Sequence, residues 1–389
     1  MRWIKTVLVI FVFLIVWITS LQLLAYLGTN RLHLAPDTAY QDMNPRIDAT
    51  DSQYSLIRNW QRFDSYWYLS IANHGYFYQK DIQSSVVFFP LYPMLMSLLS
   101  PLTHGNTALA GIALSLLFAF LSCLLLYRLA LFEFDEATAW RSIVFLLVFP
   151  TSFFLISLYT ESLFVFLSLL TFYLARKQHW WLAGLAGIFL TATRFAGIAI
   201  VIPLIWEYLR QHTYHWRVLI APKILSIIII PCGLLLFMGY LQGSFGNPLL
   251  FLEAQENWQR NFELSKTGVE KAFDTYVKEF ETVKDVTDST PLTTRYIDVM
   301  FTILFIVSVI IAWFVLPKPY ALFATLLLII PLLSGRLQSM PRYALSAFPL
   351  FLVYARLSRH PLVFSALVIL CTFALALFSI MFVSYYWVA

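Results

Sequence analysis

Long uncharged runs, separated by short basic or polar connections, recur along the whole chain. The first, Val7 to Leu27, meets the roughly 20 residues that a helix needs to cross the hydrocarbon core of a bilayer. Arg2 and Lys5 precede it, and the leucine-rich stretch ending LQLLAYLG offers no clear small-residue cleavage site. The run is therefore read as an uncleaved first transmembrane helix. Further apolar runs predict spans at about 106–130, 142–158, 162–175, 181–193, 196–208, 217–241, 297–316, 319–334, 345–357 and 361–385, about eleven in all. Several are short for a spanning helix, which implies tilting or merging of neighbours.

Three stretches interrupt this pattern. Residues 28–85 form a polar first loop. Residues 86–102, VVFFPLYPMLMSLLSPL, are apolar but carry Pro90, Pro93 and Pro101. Prolines free backbone carbonyls, which a bilayer tolerates only against protein or a water-filled cavity, so this segment is expected to be re-entrant or interfacial. Residues 242–296 make a second loop with two amphipathic helical patterns, Phe251, Ala254, Trp258 and Phe262, then Val269, Phe273, Tyr276, Val277 and Phe280. Such helices either lie on the membrane surface or cover a cavity that opens there.

Composition agrees with the pattern. With 60% hydrophobic and 12% charged residues, the chain is too apolar for a water-soluble domain of this size. An all-α polytopic membrane protein is expected, with helical extracytoplasmic loops and no repeat or separate soluble domain, so residues 1–389 read as one integral membrane domain. Cys123, Cys232 and Cys371 each lie inside an apolar run, which suggests neither a disulfide framework nor a metal cluster. The placement of the net charge of +5 says more than its size. If residues 86–102 do not cross, Arg2, Lys5, Arg128, Arg141, Arg176, Lys177, Arg210, Arg217, Lys223, Lys318, Arg356 and Arg359 all fall inside. The short outside connections then hold only Arg194, Arg336 and Arg342, as the positive-inside rule requires.

The stretch Trp60 to Tyr76, WQRFDSYWYLSIANHGY, sets a single carboxylate among aromatics just ahead of the proline-broken segment. A helix over Ser52 to Ala72 puts Trp60, Asp64, Trp67, Tyr68 and Ile71 on one face. A carboxylate crowded by apolar rings is desolvated and takes up a proton more readily, the property of a general base. The plainer reading is a membrane-surface helix whose Asp64 is held by Arg58 or Arg62. His74, next to Gly75, fits a turn or cap better than a phosphate contact.

Ionisable residues inside apolar surroundings are costly and mark sites or pathways. Glu161 and Arg194 lie between apolar runs, and Arg336 and Arg342 lie where a later helix enters from outside. With Asp64 they fall on one side of the predicted layout. They either pair to complete a helix bundle or offer guanidinium forks to a phosphate or diphosphate.

Taken in order, W..FDSYWYLSIA.HGY, FFPLYP, FP(T)SFF...YTES, TR.AG, GNP and PRY....FP resemble the PIG-V family, the GPI-anchor mannosyltransferases of the second mannose and their bacterial relatives. The resemblance runs from about residue 60 to about residue 350. It implies a membrane glycosyltransferase of the GT-C type, which takes a sugar from a polyprenyl- or dolichyl-phosphate donor on the non-cytoplasmic face and inverts the anomeric carbon. The acceptor would be a lipid-linked or glycan hydroxyl.

The family's acidic residue after the first helix matches Asp64, while its FFPLYP, YTE and PRY elements take in Phe89 to Pro93, Tyr159 to Glu161 and Pro341 to Tyr343. The wider class often carries an acidic pair in the first loop; here FDS stands instead, so a divalent metal is not indicated and no cofactor is expected. On this reading Asp64 is the base, and Arg194, Arg336 or Arg342 stabilises the departing phosphate. Tyr343, Glu161 and His74 join the donor or substrate site, and Trp60, Trp67 and Tyr68 stack on sugar. No nucleic-acid partner is expected. A flippase of lipid-linked sugars is the rival from another class, but the paired broken helices of transporters are not evident; a polysaccharide polymerase or ligase would differ in its diphosphate-linked donor.

Overall fold

A computed structural model describes residues 2–31, 55–258, 289–334 and 337–388, and every regular element among them is helical. The apolar runs become α1 (Arg2–Arg31), α2 (Ser65–His74), α3 (Leu91–Leu99), α4 (Thr107–Glu133) and α5 (Glu136–Val148). After these come α6 (Glu161–Arg176), α7 (Trp180–Thr191), α8 (Val201–Gln211) and α9 (Cys232–Phe245). The last five are α10 (Ser289–Val315), α11 (Lys318–Leu332), α12 (Met340–Ser346), α13 (Pro349–Leu357) and α14 (Pro361–Val383).

Local chemistry sets several helix starts. The Asn106 side chain accepts the Leu109 N–H at 2.9 Å ahead of α4, and Asp135 accepts the Thr138 N–H at 2.7 Å ahead of α5. Each satisfies an amide that the helix leaves without a partner. Pro361 opens α14 at a position where its missing N–H costs nothing.

Among the described residues four helices are long and apolar enough to cross a membrane: Trp3–Asn30, Thr107–Glu133, Arg295–Val315 and Pro361–Val383. Pro222–Ile228 and Cys232–Phe245, bent by 48°, make a fifth if they act as one broken span. The other expected spans are shorter or interrupted. Residues 142–158 are not one helix, because α5 stops at Phe149–Pro150 and a 3-10 turn, Ser152–Leu155, follows. Residues 345–357 divide at Ala347 between α12 and α13.

The first loop differs from the single helix expected over Ser52 to Ala72. Ser55–Arg58 makes one short turn and α2 begins only at Ser65. Between them Phe63 takes φ 52, a left-handed conformation uncommon for a bulky side chain. Trp60 and Trp67 consequently lie in different surroundings, Trp60 stacked 18° from parallel on Phe382 and Trp67 stacked 15° from parallel on Phe88. Helix α3 is about 13 Å long at 1.5 Å per residue, less than half of a hydrocarbon core. Tyr92 anchors it to α4, donating to the Gly111 carbonyl at 2.9 Å and lying 2.8 Å from the Ser115 hydroxyl.

Of the second loop, residues 242–245 complete α9, and Leu250–Glu253 and Ala254–Trp258 follow as short turns. Phe251 and Ala254 pack inward rather than on a membrane surface; the Phe251 ring lies 5.5 Å from Phe89. Trp258 meets Trp67 at 5.4 Å. The stripe from Val269 to Phe280, and most of the first loop before Ser55, lie outside the described residues.

Helix α7 packs backbone to backbone on the bent pair. A Cβ on Gly184 would come within 2.1 Å of the Ser226 carbonyl oxygen, and one on Gly233 within 2.0 Å of that of Ile188. At the end of the bundle reached by the C-termini of α4, α6 and α8, Arg176 pairs with Glu133 and, at 3.2 Å, with Glu207, which Arg210 also holds at 3.0 Å. Trp3 lies at this same end, under Arg128 at 3.7 Å.

Candidate functional site

At the opposite end the chain breaks its helices four times in one place. Asp64 closes the irregular stretch before α2; Glu161 is the first residue of α6; Arg194 stands in the extended link after α7, with φ −157; Arg342 lies in the first turn of α12, just after Ser339 at φ 68. Irregular backbone at membrane depth is tolerated only against protein or a polar cavity. Four such breaks meeting at four ionisable side chains single out this end of the bundle.

The side chains form one chain of ion pairs. Arg342 donates Nη1 to Asp64 Oδ2 at 2.6 Å and Nε to Glu161 Oε1 at 2.8 Å. Glu161 Oε1 also accepts Arg194 Nη1 at 2.9 Å, and that nitrogen lies 3.3 Å from Ser346 Oγ. Two carboxylates thus balance two guanidiniums. Glu161, at 0% exposure, is the enclosed centre that holds the cations side by side, while Arg194 at 15% and Asp64 at 11% are the ends nearest to open space. The position of Glu161 at a helix start adds the favourable field of the helix N-terminus.

Among the described residues Arg194 donates hydrogen bonds only through Nη1, and Arg342 only through Nε and Nη1. Aromatic faces support both cations: Tyr159 lies 4.7 Å and Phe154 5.2 Å from Arg342, and Tyr343 lies 5.2 Å from Arg194. Planar forks with unspent donors suit an oxyanion such as a phosphate.

The structure therefore brings together Asp64, Glu161, Arg194, Arg342 and Tyr343. Tyr68 stands beside them, its hydroxyl 3.4 Å from Thr160 Oγ1. Trp60 and Trp67 are fully enclosed, stacked on Phe382 and Phe88 respectively. His74 ends α2, roughly 15 Å along the helix from Asp64, and Gly75 follows it at φ 80. Arg336 lies outside the described residues. The cation at Asp64 is Arg342, not a neighbour in sequence; Arg62 instead donates Nε to the Val383 carbonyl at 3.2 Å and lies over the Tyr385 ring.

Sequence reasoning missed two participants. Tyr159 was visible only as part of the YTE element, and its hydroxyl accepts the Asp64 N–H at 3.2 Å and donates to the Arg62 carbonyl at 2.9 Å. Ser346, beside Arg194, carried no signal beyond its place near PRY. Among the described residues no group of three or more His, Cys, Asp or Glu side chains is arranged to hold a metal ion.

The profile of the mannosyltransferase (PIG-V) family matches residues 4–248, which include Asp64, Glu161 and Arg194. The chain belongs to the PIG-V mannosyltransferase family. It is a membrane glycosyltransferase, and within the PIG-V match fall three of the four residues of the ion-pair chain. Arg342 and Tyr343 lie beyond the matched segment. A search of curated proteins finds no match.

Proposed function

We propose that this chain is an inverting mannosyltransferase of the GT-C type, a single membrane domain of about eleven crossings in which α3 lies re-entrant. It takes mannose from a polyprenyl- or dolichyl-phosphate donor and passes it to a hydroxyl of a lipid-linked or glycan acceptor on the extracytoplasmic face. The observation that carries this reading is the Arg194–Glu161–Arg342–Asp64 chain, which sets two phosphate-binding forks against one partly open carboxylate. Family membership favours a transferase over a flippase.

In the reaction, Asp64 takes the proton of the acceptor hydroxyl as its oxygen attacks the anomeric carbon from the face opposite the phosphate. The bond from that carbon to the phosphate oxygen breaks, and the polyprenyl phosphate leaves with the electron pair. One displacement inverts the centre. Arg194 and Arg342 receive the charge that develops on the phosphate, in a site where preorganised donors act strongly; in this reading the arginines neutralise the leaving group without a metal. Arg342 must first turn from Asp64 to the phosphate, so arrival of the donor frees the base. General-base assistance contributes on the order of 10²- to 10⁴-fold.

The extracytoplasmic assignment draws support from the other end of the bundle, where Arg128, Arg176, Lys177 and Arg210 gather, as the positive-inside rule expects of a cytoplasmic face. The test is transfer of radiolabelled sugar from polyprenyl-phosphate mannose and from polyprenyl-phosphate glucose to a lipid and protein extract, by membranes carrying wild-type chain or Asp64→Asn. Mannose transfer that vanishes in the variant, with insertion intact, is the expected result. Equal transfer by both chains would remove Asp64 as the base, and no transfer from either donor would return the flippase or ligase reading.

A further inference from the structure

Asp64 closes a bend that local bonds hold only in part: the Ser65 N–H donates to the Arg62 carbonyl at 3.1 Å, and the Arg62 N–H donates to Ser65 Oγ at 3.2 Å. Residues Asn59 to Asp64 contain neither glycine nor proline, yet Phe63 holds φ 52, a conformation that persists only where its surroundings impose it. Beside these local bonds, the segment just before α6 holds the bend from across the fold. The Leu158 N–H donates to the Trp60 carbonyl at 3.2 Å. One residue later the Tyr159 hydroxyl spans the bend, donating to the Arg62 carbonyl at 2.9 Å and accepting the Asp64 N–H at 3.2 Å. The two bonded residues flank Phe63, so this hydroxyl closes the loop around the strained position.

The same side chain has a second contact. Its ring lies beneath the Arg342 guanidinium, 4.7 Å from centroid to carbon, while Arg342 reaches Asp64 at 2.6 Å. Tyr159 is fully buried, so it touches both partners of the ion pair from inside the protein. We propose that Tyr159 is a positioning residue with two separable functions: its hydroxyl fixes the backbone that aims the Asp64 carboxylate at the acceptor, and its ring holds the Arg342 guanidinium beside the site, from where the fork turns to the donor phosphate. The inference rests on the reading of Asp64 as the base and of Arg342 as a phosphate ligand.

Separability gives the test. Tyr159→Phe keeps the ring and deletes the hydroxyl; Tyr159→Leu deletes both. With full-length protein, radiolabelled polyprenyl-phosphate mannose as donor and a membrane lipid extract as acceptor, Tyr159→Phe lowers kcat on the order of 10²-fold, the scale of a misplaced catalytic group, and leaves the donor KM within about twofold. Tyr159→Leu lowers kcat as much and also raises the donor KM, because Arg342 has lost the face beneath it. Wild-type kcat in Tyr159→Phe overturns the proposal while leaving the transferase reading intact. So does a Tyr159→Phe protein in which kcat, KM and melting temperature all deteriorate together, since that describes scaffolding alone. A wild-type chain that transfers from no donor, while remaining folded, overturns the reading of Asp64 and this inference with it.

Discussion

Arg342 and Asp64 stand 278 residues apart in sequence and 2.6 Å apart in space. Their pairing ties the first loop to α12 through a contact that neither segment could provide alone. Asp64 is poised but masked: its carboxylate is already occupied by the cation that the proposed chemistry needs at the phosphate. A buried ion pair is weak evidence of net stabilisation, because desolvation offsets much of the attraction. Its retention at the meeting point of four helix breaks fits a role in binding better than one in folding.

Arg342→Lys separates these roles. Lysine keeps the charge but replaces a planar fork with a single point, so it cannot bridge Asp64 and Glu161 as Nη1 and Nε do now. Transfer is expected to fall at least 100-fold while the protein still purifies as a monodisperse species in detergent. Arg342→Ala, which strips one partner from the fully enclosed Glu161, is expected to cost about 3–5 kcal/mol as well, seen as a large drop in melting temperature. Normal turnover in the lysine variant would show that the fork is dispensable.

Arg194 is the more open cation, and Glu161 keeps Arg342 when Arg194 is lost. Arg194→Gln is therefore expected to change melting temperature little and to raise the donor KM roughly tenfold, equivalent to about 1.4 kcal/mol of lost donor binding. Titration with polyprenyl phosphate, read by protection from heat, checks this without any turnover. Unchanged affinity would take the leaving group away from Arg194.

How much of this could be read from residues alone follows from where the forces lie. The spans α1, α4, α10 and α14 announce themselves because apolar length is a local property. Glu161, Arg194 and Arg342 stand out because charge in such surroundings is expensive. The break before Asp64 was hidden: nothing between Asn59 and Phe63 forbids a helix, and Tyr159 and Leu158, more than ninety positions away, join the local Ser65 bonds in holding the bend. Arg62 illustrates the same limit. Proximity in sequence made it a partner for Asp64, yet its Nε faces the Val383 carbonyl at the end of α14. Pro150, by contrast, did carry the signal that ends α5, and the apolar run around it concealed the stop.

Asp135 provides a pH test remote from the site. It lies in the connection between α4 and α5, outside the spans, and the Thr138 N–H bonded to it holds its carboxyl below the usual carboxylate range. A lowered folded value means that the stabilisation is present above the unfolded value, about 4, and is lost as the pH falls through the lower folded one. Asp135→Ala is expected to cost about 1 kcal/mol at neutral pH, the scale of an exposed helix cap. The gap in melting temperature between wild type and variant should be constant above about pH 5 and narrow below about pH 4. A gap independent of pH would mean that the carboxylate charge is not its source.

The last prediction concerns the end of α6 away from the site. That helix begins at Glu161 and ends at Arg176, so about 22 Å separates the two ion-pair clusters. Arg176 sits between Glu133 and Glu207, both largely enclosed. Arg176→Met leaves Glu133 without its cation, while Glu207 keeps Arg210, and breaking a buried pair in this way costs about 3–5 kcal/mol. Melting temperature should therefore fall as far as in Arg342→Ala. The chemistry should not follow: no atom of Arg176 approaches Asp64 or Arg194, and Glu161 has its own two guanidiniums. The folded fraction of Arg176→Met is expected to keep wild-type kcat and donor KM, measured against protein quantified by its surviving monodisperse peak. A raised donor KM in that fraction would instead reveal coupling along α6 between the two ends of the bundle.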